Sequence, residues 1–317
     1  MGRYTIRRCL QMIPLMIGIS LIVFLIIQAA PGGPEGMMLQ SGLTIDPSVI
    51  EAYRHRLGVD QPIYVQYFKW ISAALTGDFG FSFSTTRPVW EMIVERLPAT
   101  LELMSVSFVL AALIAIPMGI YSALHQYSSF DLIGTTASFL GIAMPVFWFG
   151  LILQLIFSVK LGWLPVAGTE TVGDTSFLDH IKHLILPTIV LSLRSIAGWS
   201  RYMRSSMLGV TRSDYIRTAE AKGLRERIVV FRHAVKNALI PVITIMALDL
   251  AGLFSGAVIT ETIFAWPGIG RLFIQAMYAR DYPVLMGILM MGSFMVVVFN
   301  LIADLVYGWL DPRISYK

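Results

Sequence analysis

The chain alternates long apolar runs with short polar segments, and six of the runs are long enough to cross a membrane. They lie at about 9–30, 98–124, 131–158, 184–206, 237–261 and 284–309. A helix needs about 20 mainly apolar residues to cross the hydrocarbon core. The runs are too continuous for the alternating strands of a membrane barrel. The pattern therefore predicts an all-α polytopic membrane protein with about six transmembrane helices.

Composition agrees with a protein of the bilayer. Of the 317 residues, 56% are hydrophobic and 14% charged, and the mean hydropathy is +0.70. The first run follows three arginines and could be read as a secretory signal, but its apolar stretch from Met12 to Ala30 is longer than the ~7–15 residues of a signal core. Cys9 is the only cysteine, so an intrachain disulfide is excluded.

Positive charge is distributed unevenly between the polar segments. Nine Lys or Arg residues lie between Arg201 and Lys236, and three precede the first run. By the positive-inside rule, both termini and the 201–236 segment face the cytoplasm. The net charge of +4 then reflects topology and contact with anionic membrane lipid, and it does not indicate nucleic-acid binding.

The segment 31–96 is predicted to lie outside the membrane and to contain helices. Apolar residues recur at helical spacing in Pro47–Leu57 and again in Pro62–Leu75. We therefore divide the chain into residues 1–96, the first span with an extracytoplasmic helical segment, and residues 97–317, a core transmembrane domain.

The basic segment contains a short sequence with the features of an amphipathic helix. Tyr215, Ile216 and Ala219 fall at helical spacing, Asp214 suits the first turn, and Gly223 suits the end. Such a helix fits a groove on a cytoplasmic partner, where movement can pass to the attached spans. Resting on anionic lipid is the alternative. The predicted contact residues are Asp214, Tyr215, Ile216, Arg217, Ala219, Glu220, Ala221, Lys222 and Gly223.

Three ionisable residues inside the apolar runs are candidates for a translocation pathway. An uncompensated charge in the hydrocarbon costs about 3 kcal/mol or more, so such residues suggest function. Arg194 and Asp249 lie near the middle of the fourth and fifth runs, and Glu102 lies just inside the second. We expect Arg194 and Asp249 to line a polar path or to pair across the bundle. A purely structural pair or a snorkelling side chain is the alternative.

Motifs for chemistry are missing from the sequence. No Gly-x-x-x-x-Gly-Lys-Ser/Thr loop occurs, so ATP hydrolysis would need a separate subunit. No His-Glu-x-x-His, cysteine cluster or Gly-x-Ser-x-Gly occurs either. Asp179, His180 and His183 are close in sequence, but this spacing beside a loop is more typical of solvated side chains than of a metal site. We predict no catalytic residue, metal site or cofactor in this chain; a membrane enzyme or a receptor-like scaffold are the alternatives.

The chain resembles the membrane permease subunits of ABC importers for dipeptides and oligopeptides, a group that includes nickel and glutathione systems. The resemblance covers nearly the whole chain. It is carried by Arg7-Arg8, Ala30-Pro-Gly32, Leu57-Gly-Val-Asp-Gln-Pro62, Gly77-Asp-Phe-Gly80, Arg96-Leu-Pro-Ala-Thr-Leu-Glu102, Pro145-Val-Phe-Trp148, Arg204-Ser-Ser-Met207, Asp214-Tyr-Ile-Arg-Thr-Ala219, Lys222-Gly223, Glu261-Thr-Ile-Phe264, Trp266-Pro-Gly268, Arg280-Asp-Tyr-Pro283 and Asp311-Pro-Arg313.

The resemblance implies an assembly in the inner (plasma) membrane of a prokaryote. Its implied parts are a second homologous permease, two cytoplasmic ATP-binding subunits that hold ATP and Mg, and an extracytoplasmic substrate-binding protein. It further implies that residues 213–224 form the coupling helix and that transport proceeds by alternating access. The general importer signature begins with Glu-Ala-Ala, whereas this chain has Arg217-Thr-Ala219.

Overall fold

The computed structural model describes residues 2–29, 51, 55 and 60–310. Its elements in chain order are α1 (Gly2–Ala29), α2 (Ile63–Leu75), α3 (Val89–Leu124), α4 (Ser129–Ala143), α5 (Val146–Leu153), α6 (Phe177–Thr211), α7 (Asp214–Ala221), α8 (Glu226–Ile228), α9 (Val235–Ile263), α10 (Ile269–Tyr278) and α11 (Tyr282–Leu310). Two π-helical turns extend them: Gln154–Lys160 follows α5, and Val229–Ala234 joins α8 to α9.

Five stretches of the described residues are long and apolar enough to cross a membrane. They are Leu10–Ala29, Val89–Leu124, Phe177–Thr211, Glu226–Leu253 and Tyr282–Val306. The bent pair of α4 and α5 makes a sixth if it counts as a single span. The predicted all-α polytopic fold with about six spans is therefore confirmed.

The third predicted span is broken rather than continuous. The axes of Ser129–Ala143 and Val146–Lys160 meet at 107°. The break falls at Met144, whose backbone is extended (φ −76°, ψ 124°) and which precedes Pro145. Proline disfavours the helical conformation in the residue before it and has no N–H to continue the helix. Pro117, Pro187 and Pro241 remain inside continuous helices.

The predicted helix after Pro62 is confirmed as α2, and it packs on α1 through aromatic side chains. Tyr67 and Trp70 contact Phe24, with ring centroids 5.5 and 6.0 Å away. The hydroxyls of Tyr67 and Ser20 lie 2.9 Å apart. Leu75 is 82% exposed, so the apolar face of α2 is only partly covered within this chain. The other predicted helix, Pro47–Leu57, lies outside the described residues apart from two helical positions, 51 and 55.

The main core lies between α3, α6 and the start of α9. Trp199 and Met203 of α6 are fully buried there, and Phe108 packs edge-on to Trp199 with ring centroids 5.1 Å apart. A Cβ at Gly119 would lie 2.6 Å from the Ser200 carbonyl oxygen. Only glycine therefore permits α3 to approach α6 this closely, which is the small-residue packing common in membrane helices.

Candidate coupling site and polar path

The helix α7 has one face in the core of its own chain and another exposed. Ile216 and Ala219 are 2% and 7% exposed and pack in the cluster that contains Trp199 and Met207. The predicted contact residues outside that core are all exposed: Asp214, Tyr215, Arg217, Glu220, Ala221, Lys222 and Gly223. Because Ile216 and Ala219 are already covered, they attach α7 to the bundle, and only the exposed set is available to a partner.

The end of α7 has the geometry that the sequence predicted for Gly223. The Leu224 N–H donates to the Ala219 carbonyl and the Gly223 N–H donates to the Glu220 carbonyl. These two hydrogen bonds form a Schellman motif, which needs a residue with positive φ just after the helix. Gly223 supplies it, with φ +75°. Leu224 is thereby turned out of the helical path.

An ion pair fastens α6 to α4 close to α7. Arg204 donates from Nε to Asp131 Oδ1 (2.6 Å) and from Nη2 to Asp131 Oδ2 (2.8 Å), which is a bidentate arrangement. The Tyr127 N–H also donates to Oδ2, at 3.0 Å. Asp131 is 2% exposed. We call the Arg204 and Asp131 pair the α4–α6 clamp; it connects the helix that leads into α7 with the first half of the broken span.

Glu102 lies at the opposite end of α3 and α6 from the clamp. Its Oε1 is 2.7 Å from His180 Nε2, and the other ring nitrogen of His180 is 3.1 Å from the Thr169 carbonyl oxygen. The His180 ring lies 5.6 Å from the Trp266 ring. Glu102 therefore has a partner within the chain and connects α3 to the start of α6.

A second buried carboxylate holds the start of α10. Glu261 is fully buried, accepts from the Thr100 hydroxyl at 2.6 Å and accepts from the Arg271 N–H at 3.1 Å. The Thr100 hydroxyl also accepts from the Ile269 N–H. A carboxylate is stabilised at a helix N-terminus by the free N–H groups and the helix dipole. A Cβ at Gly268 would lie 2.2 Å from this carboxylate, so the residue there must be glycine.

A third carboxylate, Asp281, binds the loop between α2 and α3. It is 1% exposed. Its oxygens accept from the Phe83 N–H at 3.0 Å, from the Ser84 N–H at 3.2 Å and from the hydroxyls of Ser82 and Ser84 at 2.5 and 2.8 Å. The buried charge is thus compensated by four donors, as a buried carboxylate requires.

The predicted pairing of Arg194 with Asp249 is wrong. Asp249 Oδ2 accepts from the Trp199 indole N–H at 2.6 Å, and no salt bridge joins the two residues in the described part of the chain. The reason is helical geometry. Trp199 lies five residues after Arg194 on α6, which places it about 140° around the axis. Arg194 is exposed, and the core face of α6 holds Asp249 instead. Arg194, Asp249 and Glu102 therefore do not form one cluster.

Four buried or half-buried charged residues were not predicted as individual site residues: Asp131, Arg204, Glu261 and Asp281. Each is a charged side chain inside or beside an apolar run, which is a signal in itself. Arg204, Glu261 and Asp281 also lie in segments that carry the family resemblance. Their partners are 73, 161 and 199 residues away, so no local pattern could identify them.

Two family models together match almost the whole chain. One, described as "Binding-protein-dependent transport system inner membrane component", matches residues 115–316. The other, described as "Binding-prot-dependent transport system membrane comp, N-term", matches residues 1–104. The chain belongs to this family of inner membrane transport components. The resemblance noted from the sequence is therefore confirmed.

Relatives of this transport component match over full length. The chain is 47% identical to the oligopeptide transport system permease protein AppB of Bacillus subtilis (strain 168), with 100% of each chain covered. It is 41% identical to the dipeptide transport system permease protein DppB of Alkalihalophilus pseudofirmus, with 99% of each covered. It is 38% identical to the glutathione transport system permease protein GsiC of Salmonella paratyphi A, again with 100% of each covered.

A solved structure has a similar fold. The MetNI methionine ABC transporter in an inward-facing conformation aligns with a TM-score of 0.56 and 15% identity, over 69% of this chain and 96% of that chain. At that identity the alignment concerns the fold alone. The family and the full-length permease relatives make this transport component the membrane permease of an ABC system that has other subunits.

Proposed function

We propose that this chain forms half of the translocation pathway of an ATP-driven importer for dipeptides and oligopeptides. The observation that carries the proposal is the full-length match, at 47% identity, to an oligopeptide permease. The glutathione permease is less similar, at 38%, and no relative reported above is named for nickel. A peptide is therefore the favoured substrate class.

The proposed assembly supplies what this chain does not encode. A second homologous permease completes the pore, two ATP-binding subunits bind ATP and Mg at one membrane face, and an extracytoplasmic binding protein delivers substrate. This chain itself is proposed to be a transport subunit without ATPase activity, since its sequence has no phosphate-binding loop. The basic segment between Arg201 and Lys236 supports an orientation with α7 and both termini in the cytoplasm.

We assign the contact with the ATP-binding subunits to the exposed face of α7. Tyr215 is 45% exposed and is the largest apolar group on that face, so it is suited to a groove on a partner. Ile216 and Ala219 then transmit the movement of α7 to the core around Trp199, because they are packed in it. ATP-driven closure of the partner subunits would thereby reorient the spans between outward and inward access.

The proposed pathway residues differ in what already binds them. The carboxylate of Glu102 is hydrogen-bonded to His180, and that of Asp249 accepts a hydrogen bond from Trp199, so each already has a partner within the chain. Arg194 is exposed on α6. Arg194 is therefore the strongest candidate among the three to meet a substrate, and Glu102 and Asp249 are proposed to shape the path around it.

ATP-driven uptake of a radiolabelled oligopeptide tests the proposal. Membrane vesicles that contain the whole transporter are loaded with ATP on the side of the ATP-binding subunits and given the binding protein on the other. We expect uptake that requires ATP, and a large loss of uptake in Tyr215→Ala at unchanged membrane abundance. Tyr64→Ala, a tyrosine 66% exposed on α2, is the matched control and should keep uptake.

Two results would contradict the proposal. Unchanged uptake in Tyr215→Ala at normal abundance would remove α7 from the coupling role. A complex that binds peptide but never moves it in the presence of ATP would instead favour a receptor-like scaffold.

A further inference from the structure

The half of α6 next to α7 exposes a surface unlike that of the neighbouring helices. From residue 193 to Thr211, the exposed positions of α6 are Arg194, Arg201, Tyr202, Ser205 and Gly209, and none of them is aliphatic. On α3 and α4 the exposed positions include Val109, Leu113, Leu132 and Ile133, as expected for contact with lipid. We call this side of α6 the arginine face; it consists of the exposed Arg194, Arg201, Ser205 and Gly209 and the half-buried Gly198, with Tyr202 at its edge.

The arginine face is a single strip along the helix. Its members are separated by three or four residues, so they lie within about 80° of one another around the axis. Trp199, Met203 and Met207 are buried on the opposite side. Arg194 and Arg201 are seven residues apart, which is about 10 Å along the axis. The strip leads directly toward α7.

The two charges on this strip have no carboxylate partner in the described residues. Arg194 makes no hydrogen bond or ion pair there, and the Arg201 guanidinium lies over the Phe139 ring, 4.4 Å from its centroid. A ring face stabilises a cation without neutralising it. Arg201 begins the basic segment that is predicted to face the cytoplasm, but Arg194 lies two turns deeper in the span. Lipid is a poor environment for a charge at that depth, since charged residues in spans face a bundle interior or a water-filled cavity. The arginine face therefore requires water or an anionic group against it.

The same strip has open space at two glycines, one between the charges and one beyond them toward α7. A Cβ placed on Gly198 or on Gly209 would meet no atom within 4 Å. Gly119 and Gly268 are in contrast filled by a neighbouring group, whereas Gly18 and Gly252 are open in the same way. A ligand that approaches the arginine face would therefore reach Arg194 and the side of the Arg201 guanidinium that the Phe139 ring leaves open.

We propose that the arginine face lines the aqueous half of the translocation path, and that Arg194 and Arg201 bind the terminal carboxylate of a peptide in transit. The inference rests on the proposed function, because a peptide is the substrate that supplies the terminal carboxylate. A guanidinium group donates two parallel hydrogen bonds to a carboxylate, so the charges and the geometry are complementary. Two such groups about 10 Å apart would let the carboxylate pass from one to the next toward α7.

Water accessibility tests the first half of the proposal without any transport assay. Cys9 is the only cysteine, so Cys9→Ser gives a cysteine-free background. Ser205→Cys and Gly198→Cys are introduced one at a time into the intact transporter in membrane vesicles and treated with a membrane-impermeant thiol reagent. Leu132→Cys, 59% exposed on the apolar surface of α4, is the matched control.

We expect Ser205→Cys and Gly198→Cys to react and Leu132→Cys to remain unmodified. Gly198→Cys is the decisive variant, because Ser205 already lies in the segment predicted to face the cytoplasm. If Gly198→Cys is unreactive, or if it cross-links directly to the second permease, the face does not line water and the proposal is overturned. This outcome does not depend on whether peptides are the substrate.

Substrate selectivity tests the second half. Uptake of one oligopeptide is compared with uptake of its C-terminal amide, with the binding protein saturated by each in turn. Since a hydrogen bond to a charged group corresponds to a factor of about 10–100, the preference for the free carboxylate should fall by that factor in Arg194→Gln/Arg201→Gln. Uptake of the amide should fall less than uptake of the free peptide, and Lys69→Gln on α2, an exposed charge outside the face, should keep the full preference.

An equal loss of both peptides in Arg194→Gln/Arg201→Gln would overturn the carboxylate site, because the arginines would then serve structure alone. Arg194→Lys/Arg201→Lys should retain part of the preference, since the charge is kept. If the unaltered transporter imports no peptide while Gly198→Cys still reacts, the proposed function fails and the aqueous path remains.

Discussion

The α4–α6 clamp predicts a large loss of stability when Asp131 is replaced by alanine. Arg204 donates to both oxygens of this carboxylate, and the Asp131 side chain is 3% exposed against 26% for Arg204. Removing one partner of a buried ion pair costs about 3–5 kcal/mol, because the other charge stays buried. Since Arg204 can still reach solvent in part, we expect Asp131→Ala to cost about 3 kcal/mol, the lower end of that range.

A double-mutant cycle separates the pair from its surroundings. Arg204→Ala leaves the more deeply buried charge without its cation, so it should cost more, toward about 5 kcal/mol. The double variant removes both charges and should cost about 2 kcal/mol or more less than the sum of the two single changes. Unfolding of the purified chain in detergent micelles, driven by increasing SDS and followed by circular dichroism, measures all four proteins.

The exposed pair of Arg217 and Asp214 is the internal control. Their charged atoms are 3.6 Å apart, but the side chains are 72% and 98% exposed. Exposed pairs of this kind contribute little, so the same cycle on them should be additive. If the cycle on Asp131 and Arg204 is also additive, within about 0.5 kcal/mol, the pair is not a clamp and the reasoning from burial is refuted.

Two glycines give further predictions. Gly223→Val should reduce ATP-driven uptake at normal membrane abundance, because a side chain at φ +75° costs about 1–2 kcal/mol or more and β-branching adds to that cost. Gly223→Asn is the control and should retain most uptake, because asparagine tolerates that φ. Equal uptake by both variants would count against a role for the turn in coupling. Gly268→Ala should lower thermal stability by about 1–3 kcal/mol, because its Cβ would lie 2.2 Å from the Glu261 carboxylate. Gly18→Ala meets no atom within 4 Å and is the control; a Gly268→Ala variant as stable as Gly18→Ala would show that Glu261 is free to move.

The spans and the helix α7 could be predicted because their signals are local. Long apolar runs and helical spacing each depend on residues that are neighbours in sequence. The break before Pro145 could not be told from a simple kink, since Pro117, Pro187 and Pro241 present the same residue in equally apolar runs and remain helical. The difference between Pro145 and the other three prolines lies in the packing around each helix, which cannot be predicted from the presence of a proline.

The partner of each buried charge could not be predicted from the sequence either. Amphipathic spacing showed that Ile216 and Ala219 share a face, but it did not show that the core of the same chain covers that face. Arg194 and Asp249 were expected to attract each other as opposite charges in neighbouring spans. The rotation of α6 about its axis instead turns Arg194 away from Asp249, and that rotation follows from the burial of Trp199 and Met203.

The binding of residues 82–84 by Asp281 has a consequence for chimaeras of this family. Ser82 and Ser84 belong to the part of the chain matched by the N-terminal family model, and Asp281 belongs to the part matched by the other. An N-terminal segment taken from a relative would have to bring its own donors for that carboxylate, or leave a negative charge stranded. The two segments are therefore not interchangeable modules, and a graft should be designed with residues 82–84 and Asp281 taken from the same parent.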